Sequence, residues 1–208
     1  GGAKLLLEDK IFRLCDRKAG ILGSNNAFKS SVLVPLTRIN DEWCLLFQKR
    51  SSSIDRQPGE ICFPGGALEE SDPGPRYTAI REGCEELGLS PDDISVIADL
   101  DVFISPFNMI IRPYLAIIHH PEKIVIDPVE VASVFYVPLQ WLLTHQPLET
   151  SNGIAMTWPD DFPVHLIPQG SNYPYRRTVY PQYFYLWKEE VIWGLTARIL
   201  THFLDLIR

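Results

Sequence analysis

The chain has 208 residues, a net charge of −7 and 46% apolar residues. Length and composition suit one soluble globular unit with a substantial core, read here as a single domain over residues 1–208. The acidic balance argues against a nucleic-acid backbone binder, and no apolar run reaches the length of a membrane span. The widely spaced cysteines, Cys15, Cys44, Cys62 and Cys84, form no C-x-x-C pair, which argues against a zinc site and suits reduced thiols. With no secretory signal visible, a cytoplasmic location is the expectation.

In chain order, Lys4 to Leu14 carries Leu5, Leu6, Ile11 and Leu14 at loosely helical spacing and predicts a short amphipathic helix. Lys18 to Ser30, rich in Gly, Ser and Asn, reads as loop. Ser31 to Arg38 and Trp43 to Lys49 are strand-like and joined by a turn, which predicts a hairpin. A polar loop, Arg50 to Gly59, leads through the extended Glu60 to Phe63 into Pro64-Gly65-Gly66. Two glycines there let the backbone turn tightly and approach a ligand. A helix follows, with Asp72 as a plausible N-cap, Gly88 as its terminator, and Tyr77, Ile80, Cys84 and Leu87 as its core stripe.

Ile94 to Ile104, Met109 to His119 and Val129 to Val137 read as strands, and Pro138 opens a short helix. Thr150 to Tyr180, rich in proline, is expected to be an irregular insertion or β-hairpin with a short strand at Val164 to Ile167. Tyr183 to Trp187 is strand-like, and Val191 to Arg208 holds a strongly amphipathic helix. This order suits α+β layering, with helices packed on a mixed sheet.

The densest chemistry lies in Arg81-Glu82-Gly83-Cys84-Glu85-Glu86. On a helix, Glu82, Glu85 and Glu86 at i, i+3 and i+4 share one side. Three such carboxylates repel one another and raise one another's pKa values unless a cation joins them. Oxygen ligands of this kind suit Mg²⁺ or Mn²⁺. A solvated acidic helix face is the bland alternative. Arg81 beside the cluster, the Phe-Pro-Gly-Gly turn before it and Gly88 after it weigh against that.

The stretch from Gly66 to Leu89 resembles the Nudix box, G-x5-E-x7-R-E-U-x-E-E-x-G-U, where U is a bulky aliphatic residue. Arg81, Glu82, Glu85, Glu86, Gly88 and Leu89 match. The first half is one residue longer than the general pattern, Asp72 stands where the first Glu belongs, and Gly83 replaces an aliphatic residue. The resemblance implies an α/β/α sandwich with a catalytic strand-loop-helix, and metal-dependent hydrolysis of a nucleoside diphosphate linked to another group. It makes Glu82, Glu85 and Glu86 metal ligands, with Gly66 approaching the metal. It makes Arg81, Glu82 and Glu86 the catalytic set, with Glu82 or Glu86 holding or deprotonating the attacking water.

Arg50 to Gly66, RSSSIDRQPGEICFPGG, resembles the extension of the coenzyme A diphosphatase subgroup, roughly R-S-x3-R-x3-G-x3-F-P-G-G. Arg50, Ser51, Gly59, Phe63, Pro64, Gly65 and Gly66 match, whereas the second Arg falls on Asp55, with Arg56 one place later. The resemblance implies substrate contacts from Arg50, Ser51, Arg56, Gly59 and Gly65. The implied substrate is coenzyme A or an acyl-CoA, and a homodimer is a weaker implication. The enzyme alternatives are ADP-ribose, NADH or another nucleotide, and the alternative outside enzymes is a Nudix-like binding regulator.

Two further acidic residues stay open, Glu130 at a strand start and Asp72 in the box. Trp141, Trp158, Trp187 and Trp193 read as core or interface, with Phe107 or Trp158 as candidates to stack on an adenine.

Overall fold

A computed structural model describes residues 2–54, 57–174 and 178–208. Strands β1 (Phe28–Ile39) and β2 (Glu42–Arg50) form the expected hairpin. Its two-residue turn uses Asn40 and Asp41, both at positive φ (50° and 65°), a backbone twist that matches the flanking strands. The strands pair at the turn end, from Ile39↔Glu42 to Leu36↔Leu45. Beyond Leu36 and Leu45 their partners change, because the segment Ile61–Ala67 enters between them. There β3 (Ile61–Cys62) pairs with the end of β2, and β4 (Gly65–Ala67) with the start of β1. Between them, the Pro64 carbonyl accepts the Leu33 N–H at 2.8 Å.

Next in the chain come β5 (Ile94–Asp99), β6 (Phe103–Ser105) and β7 (Met109–Ile118). β7 runs parallel to β1 from Phe28↔Met109 to Leu36↔Ile117, so the sheet is mixed. β5 and β6 both pair antiparallel with β7. The single strand expected over Ile94–Ile104 is therefore two, interrupted at residues 100–102, with an irregularity already present between Val96 and Ala98. β8 (Val131–Pro138) flanks the other side of β2.

Successive side chains of these strands point to opposite faces, and both faces are covered. Leu33, Leu46, Tyr114, Ala116 and Ile118 pack under helix α2 (Pro75–Leu87), which contributes Ala79 and Leu87. Val34, Leu45, Phe47, Ile111 and Val137 pack on the other side against α3 (Leu139–Thr144) and α4 (Gly194–Ile207), through Leu142, Ile199, Leu200, Phe203 and Leu204. Two covered faces explain why Cys44 to Phe47 is an unbroken apolar run rather than an alternating one. Each fully buried Leu or Phe contributes roughly 1.5–3 kcal/mol. The layering is the expected α/β/α sandwich.

Several expectations are corrected in detail. Helix α1 (Gly2–Phe12) forms, but Leu7, Ile11 and Phe12 stay exposed, so these residues do not form a buried apolar face. The strand read as starting at Ser31 begins at Phe28, where pairing with β7 extends it. Helix α2 starts at Pro75 after Gly74, so Asp72 is not its N-cap. Tyr77 is 51% exposed, and the packed face of α2 is Thr78, Ala79, Gly83, Glu86 and Leu87.

Residues 148–187 form a long hairpin of β9 (Leu148–Ile154) and β10 (Thr178–Trp187). Between these strands, Val164–Leu166 is a 3-10 turn rather than a strand. β11 (Glu190–Ile192) completes a second, three-stranded sheet among the described residues.

Candidate active site

The wedge at Ile61–Ala67 and the buried side of α2 define a cleft of about 680 Å³. Its wall includes Glu82, Glu86, Gly65, Gly66, Arg50 and Glu130, so six of the sequence candidates meet in one place. The β1–β4 register sets Gly65 and Gly66 opposite Val32 and Ser31. Gly65 has φ +150°, and a side chain there would collide with the Ser31 carbonyl and with Val32. Its N–H donates to Glu86 Oε2 at 2.9 Å. A Cβ on Gly66 would run into the Glu82 carboxylate, so the backbone forms a cradle that only glycine leaves open.

The three box glutamates divide their roles. At about 100° per residue, Glu82 and Glu86 lie about 40° apart around the helix, while Glu85 lies about 100° from Glu86. Accordingly Glu86 is buried and Glu82 half-buried in the cleft, whereas Glu85 does not line it. Glu85 is 59% exposed and pairs with Arg81 Nη1 at 3.1 Å. Among the described residues no three acidic, His or Cys side chains converge as a finished metal cage.

Arg81 is the brace. Its Nε and Nη2 donate to the two Asp72 oxygens at 3.1 and 3.2 Å, and Nη2 lies 2.9 Å from Glu82 Oε1. Thr78 Oγ1 also donates to Asp72, at 2.7 Å. Asp72 therefore fixes Arg81, which in turn holds Glu82. The Arg81 hydrogen bonds come first in holding the Asp72 carboxyl down at about 2, followed by Thr78. Arg81 itself is raised above the usual range, first by the Asp72 hydrogen bond.

Glu86 shows the opposite behaviour. Burial pushes its carboxyl up to about 7, with Glu82 and Glu130 adding to the rise and the Gly65 N–H partly opposing it. Glu82 is also raised, first by burial, with Arg81 opposing. Cys62, on the same wall, is pushed up to about 11 by burial and then by Glu86. Two carboxylates raised chiefly by burial beside a glycine cradle suit a hard divalent cation, and Glu82 and Glu86 are the oxygen donors that could hold it.

The Arg50–Gly59 candidates separate. Arg50 lines the cleft, and its N–H donates to the Glu60 carbonyl at 2.9 Å. Gly59 and Ser51 form the loop's frame instead of the cleft wall. Gly59, at φ +73°, donates its N–H to the Arg50 carbonyl at 3.1 Å. The Ser51 hydroxyl is buried against Ser53 Oγ at 2.7 Å, and its N–H reaches the Glu130 carbonyl at 2.8 Å. That last bond ties the loop to the start of β8 and brings Glu130 to the cleft. Arg56 lies outside the described residues.

The aromatic candidates are corrected. Phe107 packs edge-on against Tyr180, Trp158 packs on Phe162, and neither lines the cleft. Trp193, read as core or interface, does line it and is 41% exposed. Phe28, Met109 and Ile111 also reach the wall through the β1–β7 pairing. No local sequence signal places Phe28, Met109 and Ile111 here, because long-range strand pairing brings them in.

Comparison with known proteins agrees with this geometry. Residues 27–158 match the NUDIX domain family model. The peroxisomal coenzyme A diphosphatase of Mus musculus is 34% identical over 142 residues, covering 68% of this chain and 60% of that protein. A peroxisomal coenzyme A diphosphatase of Caenorhabditis elegans is 41% identical over 96 residues, covering 45% of this chain and 41% of that protein. The mitochondrial Nudix hydrolase 15 of Arabidopsis thaliana is 31% identical over 176 residues, covering 83% and 56%. The chain thus spans 41–60% of the length of these relatives. With the family match extending over most of the sequence, and the box residues gathered at one cleft, the chain belongs to the NUDIX-domain family.

Proposed function

We propose that the protein is a metal-dependent diphosphatase that hydrolyses coenzyme A or an acyl-CoA to 3′,5′-ADP and a 4′-phosphopantetheine. The observation that carries this is the meeting of Glu82, Glu86 and Glu130 with the Gly65–Gly66 cradle in one cleft. The coenzyme A assignment draws on the Arg50–Gly66 pattern and on the two relatives named coenzyme A diphosphatases. A bound Mg²⁺ or Mn²⁺ would neutralise the diphosphate and acidify a water.

The chain's own part is positioning and proton handling. Glu82, steadied by Arg81, and Glu86, steadied by the Gly65 N–H, would supply the oxygen ligands for that metal. Water attacks one phosphorus, the bridging P–O bond breaks, and the water proton leaves through a carboxylate to solvent. Either Glu82 or Glu86 serves as that acceptor. Arg50, which also lines the cleft, meets the negative charge of the substrate phosphates.

The test is incubation with Mg²⁺ or Mn²⁺ and a panel of coenzyme A, ADP-ribose, NADH and nucleoside triphosphates, with products identified by mass. The expected result is 3′,5′-ADP from coenzyme A. Turnover of a different panel member without it would refute the substrate assignment, and no turnover at all would refute the enzyme reading.

A further inference from the structure

The geometry points to Trp193 as the platform on which the substrate's nucleobase stacks, and so as a residue that sets specificity. The inference rests on the reading that a nucleotide occupies the cleft. Trp193 ends the turn between β11 and α4, with extended backbone (φ −145°, ψ −174°), and Gly194 follows at φ +63°. It is a large aromatic that lines the cleft shared by Glu82, Glu86 and Gly66, yet keeps 41% of its surface exposed. Leaving that much indole in water forgoes a large part of the stabilisation its burial would give.

The ring is also held in plane. Phe184 of β10 stacks on it with ring centroids 6.1 Å apart and planes 6° from parallel. One turn later in α4, Thr196 Oγ1 donates to the Ile61 carbonyl at 3.1 Å. That bond ties the helix start to β3, the strand that leads into the glycine cradle. The Trp193 backbone is thereby seated next to β3, with its indole stacked on Phe184.

A parallel plane is what a flat heterocycle needs, since offset stacking gains only when the two rings are co-oriented. An aliphatic chain has no such requirement. The neighbouring cleft residues Leu195, Ile199, Met109 and Ile111 already offer it an apolar surface without a fixed ring plane. Among the described aromatic residues on the wall, Trp193 thus fits the base better than it fits a pantetheine or acyl chain.

AMP and ribose 5-phosphate share sugar and phosphate and differ only in the base, so their affinities isolate the stack. Both are titrated calorimetrically into the wild type, Trp193→Phe and Trp193→Leu. The Leu variant keeps apolar bulk but loses the plane. The wild type is expected to prefer AMP by roughly 10-fold, the scale of one base–aromatic stack. The Phe variant should keep most of that preference and the Leu variant should lose it. A wild type that does not distinguish the two ligands, or a Leu variant that still does, overturns the assignment. Formation of 3′,5′-ADP from coenzyme A in the same preparation would leave the hydrolase reading intact in either case.

Discussion

One part of the cleft wall comes from a single continuous stretch, Gly65 to Glu86, while another part draws Arg50, Glu130 and Trp193 from three separated segments. The first wall is over-determined. Gly65 is fixed by β-register, Glu86 by burial and a backbone N–H, and Glu82 by an arginine that is itself clamped by Asp72. The second wall is held by ties between segments distant in sequence, such as the Ser51 N–H to the Glu130 carbonyl and the Thr196 hydroxyl to the Ile61 carbonyl. On the proposed function, chemistry that every diphosphate shares is built into local sequence, and substrate choice into tertiary packing. Changes on the first wall should affect turnover, and changes on the second should affect which substrate is held.

The largest expected effect is on the first wall. Glu86→Gln removes a charge but keeps shape and the acceptor for the Gly65 N–H. It is predicted to lower kcat by about 100-fold or more while changing KM little. Steady-state assay of coenzyme A hydrolysis measures this, and undiminished kcat would show that the division between the walls is wrong. In the second part of the wall, Arg50→Ala should do the reverse, raising KM by about 10-fold and lowering kcat by less, as expected for lost charge-assisted binding. Equal loss in both parameters would move Arg50 to the chemical side of the comparison.

The same division explains what could be read from the chain alone. The hairpin at Asn40-Asp41, the α2 helix and its stop at Gly88 rest on neighbouring residues, and they are legible. So are Glu82 and Glu86, because helical spacing relates them directly. Glu85 was less so, since spacing shows that three carboxylates share a side but not where the sheet cuts across it. The wedge of β3 and β4 between β1 and β2 has no local signal, for two short extended pieces around Pro64 carry little pattern. From the sequence, Trp193 reads as core or interface, with nothing local to choose between the two. Its exposure depends on α4 packing against strands far away in sequence. Val164 to Leu166 looked like a strand from composition, but it lies in the long β9–β10 connection and pairs with neither strand.

A smaller effect follows from the brace. The Asp72 carboxyl ionises at about 2 in the folded protein against a reference of 3.8. The folded state therefore binds fewer protons at this site than the unfolded chain does in that interval. Its contribution to stability is complete above about pH 4 and disappears as the pH falls through about 2. Urea unfolding followed across pH 2 to 6 should show a declining midpoint over that window. Asp72→Asn should flatten the decline, and it should also lower kcat, since Arg81 loses the partner that orients it toward Glu82. A variant with the acid slope of the wild type would remove Asp72 from the brace.

The last test concerns Gly83, where the family pattern has an aliphatic residue. Helix propensity alone says that Gly83→Ala should stabilise the protein by about 1 kcal/mol. Packing says otherwise, because a Cβ there would lie 2.6 Å from Leu33 Cδ1, and Leu33 is fully buried in β1. Overpacking of that kind costs about 1–3 kcal/mol, so the net expectation is a destabilisation of about 1 kcal/mol, read from the urea midpoint. The two causes separate in a Leu33→Val background, where a shorter side chain opens the space. There the alanine should become neutral or stabilising, a coupling expected only for residues in contact. If Gly83→Ala stabilises the wild type outright, α2 has room to move away from the sheet. The close seating that aims Glu82 and Glu86 into the cleft would then be looser than the geometry of β1 and α2 implies.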